Sequence, residues 1–403
     1  MANSILSPTA VTREALRILH QKCNFIGNIN RQYDSSFAKS GAKIGDKLKI
    51  RLPNQYTVRT GAALSAQDTT ESSVELTVAT QKGVDMNFSS AELSLHLDDF
   101  SKRVLEPAVA VLAAAIEADA LSMRKDIYQQ VDNQGSALSF AKLLSGRKKL
   151  EDNLVPPANR SALLNTTDNA DLIEALKGLH HDEEGLTRQY REGSMGRTAG
   201  FDFYENTHLN SHTNGARGGA GLMNGATADG ATQIVTDGWS NNVTGLLKKG
   251  DVFEITNVTA VHPETKVPLG VRQQFVVTED VNSNGSGQAT IQISPAIYSA
   301  AGARQNVSAA PADNAPLLFA AGSGGGVTYG QSLLFHEDAF TFATADLVMP
   351  RGVDWGAREV YDGISMRIVR QYDINADKFP TRLDIVYGYK TLRPQLACRL
   401  ANN

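Results

Sequence analysis

The chain has 403 residues, of which 41% are hydrophobic and 20% are charged, and its formal net charge at pH 7 is -4. This length allows two or three domains, and the near-neutral charge argues against a dedicated nucleic-acid-binding domain. Its two cysteines, Cys23 and Cys398, exclude a disulfide framework or a cysteine zinc site and favour a reducing cytoplasm. The longest apolar run, residues 108–116, is too short to span a bilayer, and the first ten residues lack the features of a secretory signal. We therefore expect neither a membrane span nor secretion.

Positive charge is concentrated near the start of the chain. Residues 1–51 contain nine lysines and arginines against three acidic residues, a net charge of +6, and the remaining residues carry -10. This pattern leaves two interpretations open: a solvated charged face, or an arm that contacts an acidic partner. The candidate contacts in this arm are Arg13, Arg17 and Lys22.

Residues 11–24 form a predicted amphipathic helix within the arm. Thr12 is its predicted N-cap, and Leu16, Leu19 and Cys23 recur on one face.

Residues 43–88 are predicted to form one long β-hairpin. Apolar residues alternate with polar residues along both arms, which is the period of a strand. The alternating residues are Leu48, Ile50, Leu52, Tyr56 and Val58, then Val74, Leu76, Val78, Val84, Met86 and Phe88. A two-stranded ribbon cannot bury its own apolar face, so we expect it to lie on a neighbouring copy of the chain. The candidate contacts near its polar tip are Arg59, Gly61, Asp68 and Glu71.

A long helix and a compact α+β region are predicted next. Apolar residues recur at steps of three and four from 98 to 130, which predicts a structural spine that Pro107 either kinks or starts. Helices are then predicted at 138–152, 168–179 and 183–192, and short strands at 161–164 and 200–204.

The segment between two Gly-rich stretches is predicted to be an inserted β-domain. Short β-runs at 251–258, 272–279 and 288–294 are separated by turn residues, which favours a small barrel or sandwich. Its predicted core consists of Val252, Phe253, Ile255, Phe275, Val277, Ile291 and Ile293. The Gly-rich stretches at 213–230 and 320–326 are interpreted as flexible connections. Strands at 365–374 and 382–394 then return to the main fold, which makes the parent domain discontinuous.

The possible chemical sites are weak, and we expect no cofactor, metal or active site. The run of residues 180–184 contains histidines and carboxylates, but consecutive side chains fan around a helix and do not converge on a metal. His208 and His212 have helical spacing in a segment that does not favour a helix. Residues 322–326 lack the Lys-Ser/Thr of a phosphate loop. Neighbouring carboxylates such as Glu117 and Asp119 are interpreted as capping or solvated groups.

The order of these elements resembles that of major capsid proteins of tailed bacteriophages. Several stretches are similar to the coat-protein family of short-tailed phages with an extra β-barrel domain, including VTREALRILHQK, NRQYDSSFAKSGAKIGDKLKIRLPNQYTVRTG, TQKGVDMNFSSAELSLHLDDFSKRVLEPA and DIVYGYKTLRPQLACRL. The resemblance covers essentially the whole chain and is weakest in residues 211–330.

The resemblance implies an α+β fold of the Hong Kong 97 type with an inserted small β-barrel. The implied parts are an arm (1–42), an extended loop (43–88), a peripheral domain with the spine helix (89–132), an axial domain (133–212), the barrel with its connections (213–330) and a return segment (331–403). The implied function is an icosahedral shell around packaged double-stranded DNA, built in the host cytoplasm from hexamers and pentamers. The implied partners are further copies of the chain, a scaffolding protein and a portal protein, with neither sequence-specific DNA binding nor a membrane.

Two alternatives stay open. An encapsulin-like compartment would have the same fold and enclose a cargo enzyme. A carbohydrate- or cell-binding virion protein would use the inserted domain, where Trp239 is the one prominent candidate for an aromatic platform. An enzyme is the least supported class.

Overall fold

A computed structural model gives the fold. The structure describes residues 8–34, 47–59, 61–64, 66, 72–88, 104–176, 196–320, 324–361, 363–375 and 378–402. The chain divides into two compact units. Unit 1 comprises Met1–Arg51, Ser73–Ser122 and Phe340–Leu392, and unit 2 comprises Leu52–Ser72, Met123–Ala339 and Arg393–Asn403. Both units are discontinuous in sequence.

Helices and strands are mixed throughout the described residues, as an α+β fold requires. The α-helices are α1 (Pro8–Lys22), α2 (Asn24–Gly27), α3 (Glu106–Leu121), α4 (Phe140–Asp152) and α5 (Thr166–Leu176), and 3-10 turns lie at Ser122–Asp126, Glu337–Ala339 and Pro394–Leu396. The strands are β1 (Asn30–Asp34), β2 (Lys47–Arg51), β3 (Ser73–Thr77), β4 (Thr80–Phe88), β5 (Gln130–Asp132), β6 (Arg160–Leu164), β7 (Arg197–Thr198), β8 (Phe201–Glu205), β9 (His212–Thr213), β10 (Gly219–Met223), β11 (Ala231–Trp239), β12 (Val252–Val261), β13 (Pro268–Val277), β14 (Ala289–Ile297), β15 (Leu317–Leu318), β16 (Thr328–His336), β17 (Phe340–Ala345), β18 (Trp355–Tyr361), β19 (Ile364–Arg370), β20 (Phe379–Thr391) and β21 (Ala397–Asn402).

Unit 1 is built on a sheet with the strand order β1-β17-β20-β19-β18, and α1 packs on its β18 end. The predicted helix is present as α1, and its apolar face is buried, with Leu16 and Leu19 almost fully covered. The predicted cap is wrong, because α1 begins at Pro8 and Thr12 is buried inside the helix. Proline suits the first turn, where its missing N–H has no helical partner to lose.

The hairpin is shorter than the sequence predicts. β2 pairs antiparallel with β3, with Leu48 opposite Leu76, but β4 pairs with β20 and joins the main sheet. The alternation of β4 is real, yet alternation does not say which strand is the partner. At the junction, β3 passes so close to Gly388 that a Cβ there would clash with the Thr77 carbonyl oxygen. The return arm therefore leaves the ribbon after β3.

The base of the hairpin has a core within its own subunit, contrary to our expectation. Leu76 and Val78 are buried against Ala343, Ala345 and Val386 of the unit 1 sheet. Leu48, Ile50 and Leu347 pack at the margin of this cluster. Only residues beyond the base can depend on a neighbour for burial.

The spine helix α3 starts at the proline-containing turn and ends at Leu121, earlier than the predicted end at 130; residues 98–103 lie outside the described residues. Its buried carboxylate Glu117 accepts the N–H groups of Phe25 (2.5 Å) and Ile26 (3.5 Å) at the start of α2. Asp119 accepts the Tyr387 hydroxyl (2.5 Å) and pairs with Lys82 (2.7 Å). Burial and the bond to Asp119 raise the pKa of Tyr387. These carboxylates have structural roles, and that of Glu117 is capping.

Unit 2 contains a sheet with the order β5-β21-β16-β6-β8-β7. We call this sheet, together with α4, α5 and the segment 123–129 that leads into β5, the axial part of unit 2. α4 and α5 match two predicted helices within three residues, and the strands at 161–164 and 200–204 are confirmed as β6 and β8. The helix predicted at 183–192 lies outside the described residues. The sequence thus predicted this part well, because its strands and helices alternate clearly.

The inserted domain is a small β-barrel, as predicted. Its strands follow the order β10-β11-β14-β13-β12-β15. A bridge between Leu222 and Pro316 and a bond from Met223 N to Ala315 O (2.9 Å) bring the two outer strands together. All seven predicted core residues are buried, although Val252 faces Tyr128 and Val276 and is not part of the barrel core.

Among the described residues, no helix has both the length and the apolar character needed to cross a bilayer. Both cysteines are free and buried.

Candidate assembly surfaces

The part of the hairpin beyond its base carries exposed apolar side chains. Tyr56 is 58% exposed, Val58 97% and Leu64 88%, whereas Leu76 at the base is fully covered. Next to the paired strands β2 and β3, a further bond between the two arms joins Leu52 N to Ser72 O at 2.9 Å. Exposed apolar groups gathered on one extended segment indicate an interaction site.

Arg59 and Gly61 shape the described part of the hairpin tip. The Arg59 guanidinium donates to the carbonyl oxygens of Gly61 and Ala63, the latter at 2.9 Å. Gly61 has a φ of +96°, a conformation that favours glycine. The structure therefore gives these two candidates a role in local shape. Asp68 and Glu71 lie outside the described residues.

Two candidate cations of α1, Arg13 and Arg17, already have partners in their own subunit. Arg13 pairs with Glu359 at 3.2 Å, and Arg17 pairs with Glu14 at 2.6 Å. The bond from Arg17 to the Glu14 carboxylate raises the pKa of Arg17. Lys22 is the last residue of α1. Contact of this helix with an acidic partner stays a prediction, and such a partner must compete with these pairs.

A basic face on β2 was missed by the sequence reasoning. Lys47, Lys49 and Arg51 alternate on the exposed face of the strand, opposite the packed face that holds Leu48 and Ile50. The signal was present, because the same period of two that identified the apolar face also places these cations together. Glu75 pairs with Lys47 at 2.7 Å, which raises the pKa of Lys47 and lowers that of Glu75. The base of the hairpin therefore offers positive charge.

The connections of the barrel pair with one another. We call residues 212–217 and 324–329 the neck. In the neck, β9 pairs with the start of β16, and further bonds join Asn214 N to Val327 O (3.0 Å) and Gly326 N to Gly215 O (3.0 Å). Paired backbone groups therefore hold the described residues of the two connections together, and the flexibility of these connections stays a prediction.

A buried histidine–carboxylate pair lies beside the neck. His212 Nε2 lies 2.8 Å from Asp251 Oδ1, and since an ionised carboxylate only accepts, the imidazole donates this hydrogen bond. Burial lowers the pKa of His212, which favours the neutral ring. Burial alone would raise the pKa of Asp251, but the bond from His212, the charge of Arg217 and two backbone bonds lower it overall. The pair is a structural contact between the neck and the barrel.

A second buried carboxylate, Asp168, ties α5 to the axial sheet. Its Oδ2 accepts from Ser332 Oγ (2.5 Å), Asn402 Nδ2 (2.9 Å) and Asn165 Nδ2 (3.0 Å). Burial raises the pKa of Asp168 despite these bonds. These neighbours hold the group in place and offer no nucleophile beyond a serine hydroxyl that donates to it.

The structure gives little support to a metal or carbohydrate site. No group of three or more His, Cys, Asp or Glu side chains is placed to hold a metal within the described ranges. The run at 180–184 and residues 322–323 lie outside those ranges. Trp239 is buried, and its Nε1 donates to Thr236 Oγ1 at 2.9 Å. It is therefore a core residue and not an exposed aromatic platform.

The comparisons with known proteins point in one direction. Residues 9–399 match the model of a family described as "P22 coat protein - gene protein 5". No curated protein matches the sequence. The chain is similar to a structure of Mycobacterium phage Che8, with a TM-score of 0.44 and 14% identity over 92% of this chain and 89% of that chain.

Two further solved structures are similar in the same way. For the capsid of Cyanophage P-SCSP1u the TM-score is 0.43, with 12% identity over 93% of this chain and 86% of that chain. For a virus-like particle from Pyrococcus furiosus the TM-score is 0.35, with 7% identity over 97% of this chain and 98% of that chain. These scores are low, and the family match carries the assignment.

Proposed function

The chain belongs to the P22 coat protein family, and from this premise we propose how its copies build and fill a shell. It has the Hong Kong 97 type of capsid fold and is the major capsid protein that forms the shell of a tailed phage. In our proposal, hexamers and pentamers close around double-stranded DNA that is held without sequence specificity. A scaffolding protein guides assembly in the host cytoplasm, and a portal protein occupies one vertex. The family match favours this shell over a cargo-enclosing compartment.

The exposed hairpin is the observation that carries the assembly mechanism. Tyr56, Val58 and Leu64 are exposed, whereas Leu76 and Val78 of the hairpin base are buried in a core. Burying a side chain of this kind contributes about 1.5 to 3 kcal/mol, which is weak for a single contact. Repeated around a closed shell, weak contacts become strong through multivalency. We propose that this segment lies on a neighbouring copy.

The basic face of β2 supports a second contact of opposite chemistry. Lys47, Lys49 and Arg51 are exposed together, and one acidic residue, Glu75, pairs with the first of them. An acidic surface of a neighbour or of the scaffolding protein would complement this face. The arm, with Arg13, Arg17 and Lys22, remains a candidate for the same kind of partner.

The domain division inferred from the sequence is also part of the proposal. The barrel strands from Gly219 to Leu318 fall within the proposed inserted segment, 213–330. Within the proposed loop, 43–88, the paired ribbon is shorter than predicted, because β4 belongs to the unit 1 sheet.

The test replaces two exposed apolar residues of the hairpin. In the double variant Val58→Asp and Leu64→Asp, each new carboxylate would be buried at the contact with a neighbour, so the subunit should fold normally and fail to form closed shells. The control is Val267→Asp, a 60% exposed site in the barrel, which should assemble like the unaltered protein. Electron microscopy measures shell formation, and a thermal melt of the subunit measures folding. Normal shells from the double variant would contradict the proposed role of the hairpin.

A further inference from the structure

The barrel is held together far better than it is held to the axial part of unit 2. Its own core contains eighteen buried apolar residues, including Phe253, Phe275 and Ile291. Among the apolar clusters formed by described residues, the one that joins barrel and axial part consists of Tyr128, Val252 and Val276. A small and mostly polar contact of this kind allows two domains to move relative to each other. The polar contacts must therefore fix the position of the barrel.

Several polar contacts converge on one turn of the barrel, residues 248–251, and at a second place Gln274 Oε1 accepts from Gln130 N and Lys149 Nζ of the axial part, both at 2.9 Å. The Asp251 carboxylate has no exposed surface and accepts from His212 Nε2 (2.8 Å), Gly215 N (3.0 Å) and Lys248 N (3.1 Å). Its Oδ1 also lies 3.8 Å from Arg217 Nη2. His212, Gly215 and Arg217 belong to the neck, so a single side chain joins the neck to the turn.

The other residues of the turn contact the axial part directly. The Gly250 carbonyl oxygen accepts from Arg399 Nη1 of β21 at 2.9 Å, and Lys249 Nζ pairs with Asp126 at 3.0 Å. Gly250 has a φ of +101°, and a Cβ there would lie 3.2 Å from His212 Cε1 and 3.3 Å from the Lys125 side chain. Only glycine fits this close approach without strain.

Arg399 makes the arrangement costly to disturb. The side chain is fully buried, and the carboxylates of Asp251 and Asp132 are among the groups that favour its charged form. Its Nε and Nη2 atoms have no protein hydrogen-bond partner. Removing the charge of Asp251 would leave this guanidinium with less compensation in a buried site, which weakens the contact of the turn with β21.

We propose that residues 248–251 are a latch that fixes the barrel on the axial part, and that opening the latch lets the folded barrel change its orientation on the neck. Resting on the proposed function, this device allows copies in hexamers and pentamers to differ in the position of the barrel without refolding it. The latch joins elements far apart in sequence, since His212, Asp251 and Arg399 meet at one place.

The test measures amide hydrogen exchange on the full chain as subunits, comparing the unaltered protein with Asp251→Asn. The control is Asp229→Asn, because Asp229 is a barrel carboxylate that likewise accepts two backbone N–H groups, those of Ser299 (2.7 Å) and Ala300 (2.9 Å). In Asp251→Asn, the bonded amides of Gly215, Arg217 and Gly326 should exchange at least about tenfold faster, a change of about 1.4 kcal/mol or more in opening free energy. The amides of β12, β13 and β14 should keep their protection, and the control should leave the neck unchanged.

Two results overturn the latch. Equal loss of protection in the neck and in the barrel strands would make Asp251 part of the barrel fold, and an unchanged neck would mean that Asp251 does not hold it. If Asp251→Asn does not fold, His212→Ala removes a single donor and should give a smaller change confined to the neck; faster exchange in the barrel strands, or no change in the neck, would again overturn the latch. Because exchange is measured on subunits, the result is independent of shell formation.

Discussion

Replacing Phe275 with alanine should destabilise the inserted barrel by about 3 to 5 kcal/mol. Phe275 lies on β13 with no exposed surface, and its ring centroid is 5.9 Å from that of Phe253. The substitution loses the transfer free energy of the ring and leaves a cavity among neighbours such as Ile291. The strands around this cavity are hydrogen-bonded to each other, so they can collapse only partly. The loss is large against the total stability of a domain, about 5 to 15 kcal/mol.

The assay is scanning calorimetry of the full chain, with hydrogen exchange in β12 to β14 identifying the transition of the barrel. A domain of about 100 residues loses about 4 °C or more per kcal/mol, so the barrel transition should fall by at least about 12 °C. The matched control is Val271→Ala on the same strand, where the side chain is 46% exposed and the change should stay within about 0.5 kcal/mol. A shift below about 1 kcal/mol for Phe275→Ala, or equal shifts in both variants, would refute the packing argument.

Three further predictions concern titration, a buried hydroxyl and the basic arm. The pKa of His212 is lowered in the folded state. Below the ordinary histidine pKa of about 6.5, the unfolded chain therefore binds more protons than the folded chain. Stability should fall as the pH drops below that value, by at most about 1.4 kcal/mol per pH unit. Urea denaturation should show a smaller loss of stability at low pH in His212→Gln than in the unaltered protein. Identical pH profiles of stability would show that His212 does not cause the loss. Tyr387→Phe removes the donor to Asp119 and should cost about 1.5 to 3 kcal/mol in urea denaturation, with Tyr389→Phe nearly neutral as its control; equal losses would exclude a special role for that bond. Replacing Arg13, Arg17 and Lys22 with glutamine should weaken assembly and flatten its salt dependence, because exposed charges are screened within about 10 Å at about 0.1 M salt. Light scattering across a salt series measures assembly. Equal assembly of the variant and the unaltered protein would show that the arm is only a solvated charged face.

The sequence predicted those parts whose identity depends on local pattern. Phe275, Ile291 and the other core residues of the barrel alternate with polar residues, and this alternation survives in the folded domain. The spine begins at its proline because the first helical turn tolerates the missing N–H. The same kind of local pattern could also have predicted the basic face of β2, because Lys47, Lys49 and Arg51 alternate along the strand and share one face.

Other features could not be predicted, because they depend on which distant segments meet. β4 has the alternation of a hairpin arm, but its partner β20 lies about three hundred residues further along the chain. The carboxylate of Asp251 looks ordinary in the sequence, and only the folded chain brings His212 and the neck amides to it. Thr12 looks like a helix cap by residue type, yet the helix starts earlier and buries it.

The most direct test of the central claim is a cryo-electron microscopy map of particles assembled from the purified chain with a co-expressed scaffolding protein. The account predicts closed icosahedral shells in which Tyr56, Val58 and Leu64 of each copy are buried against a neighbouring copy. Shells in which these three side chains face solvent would contradict the role given to the hairpin, and a chain that forms no shell with its scaffold would contradict the proposed mode of assembly.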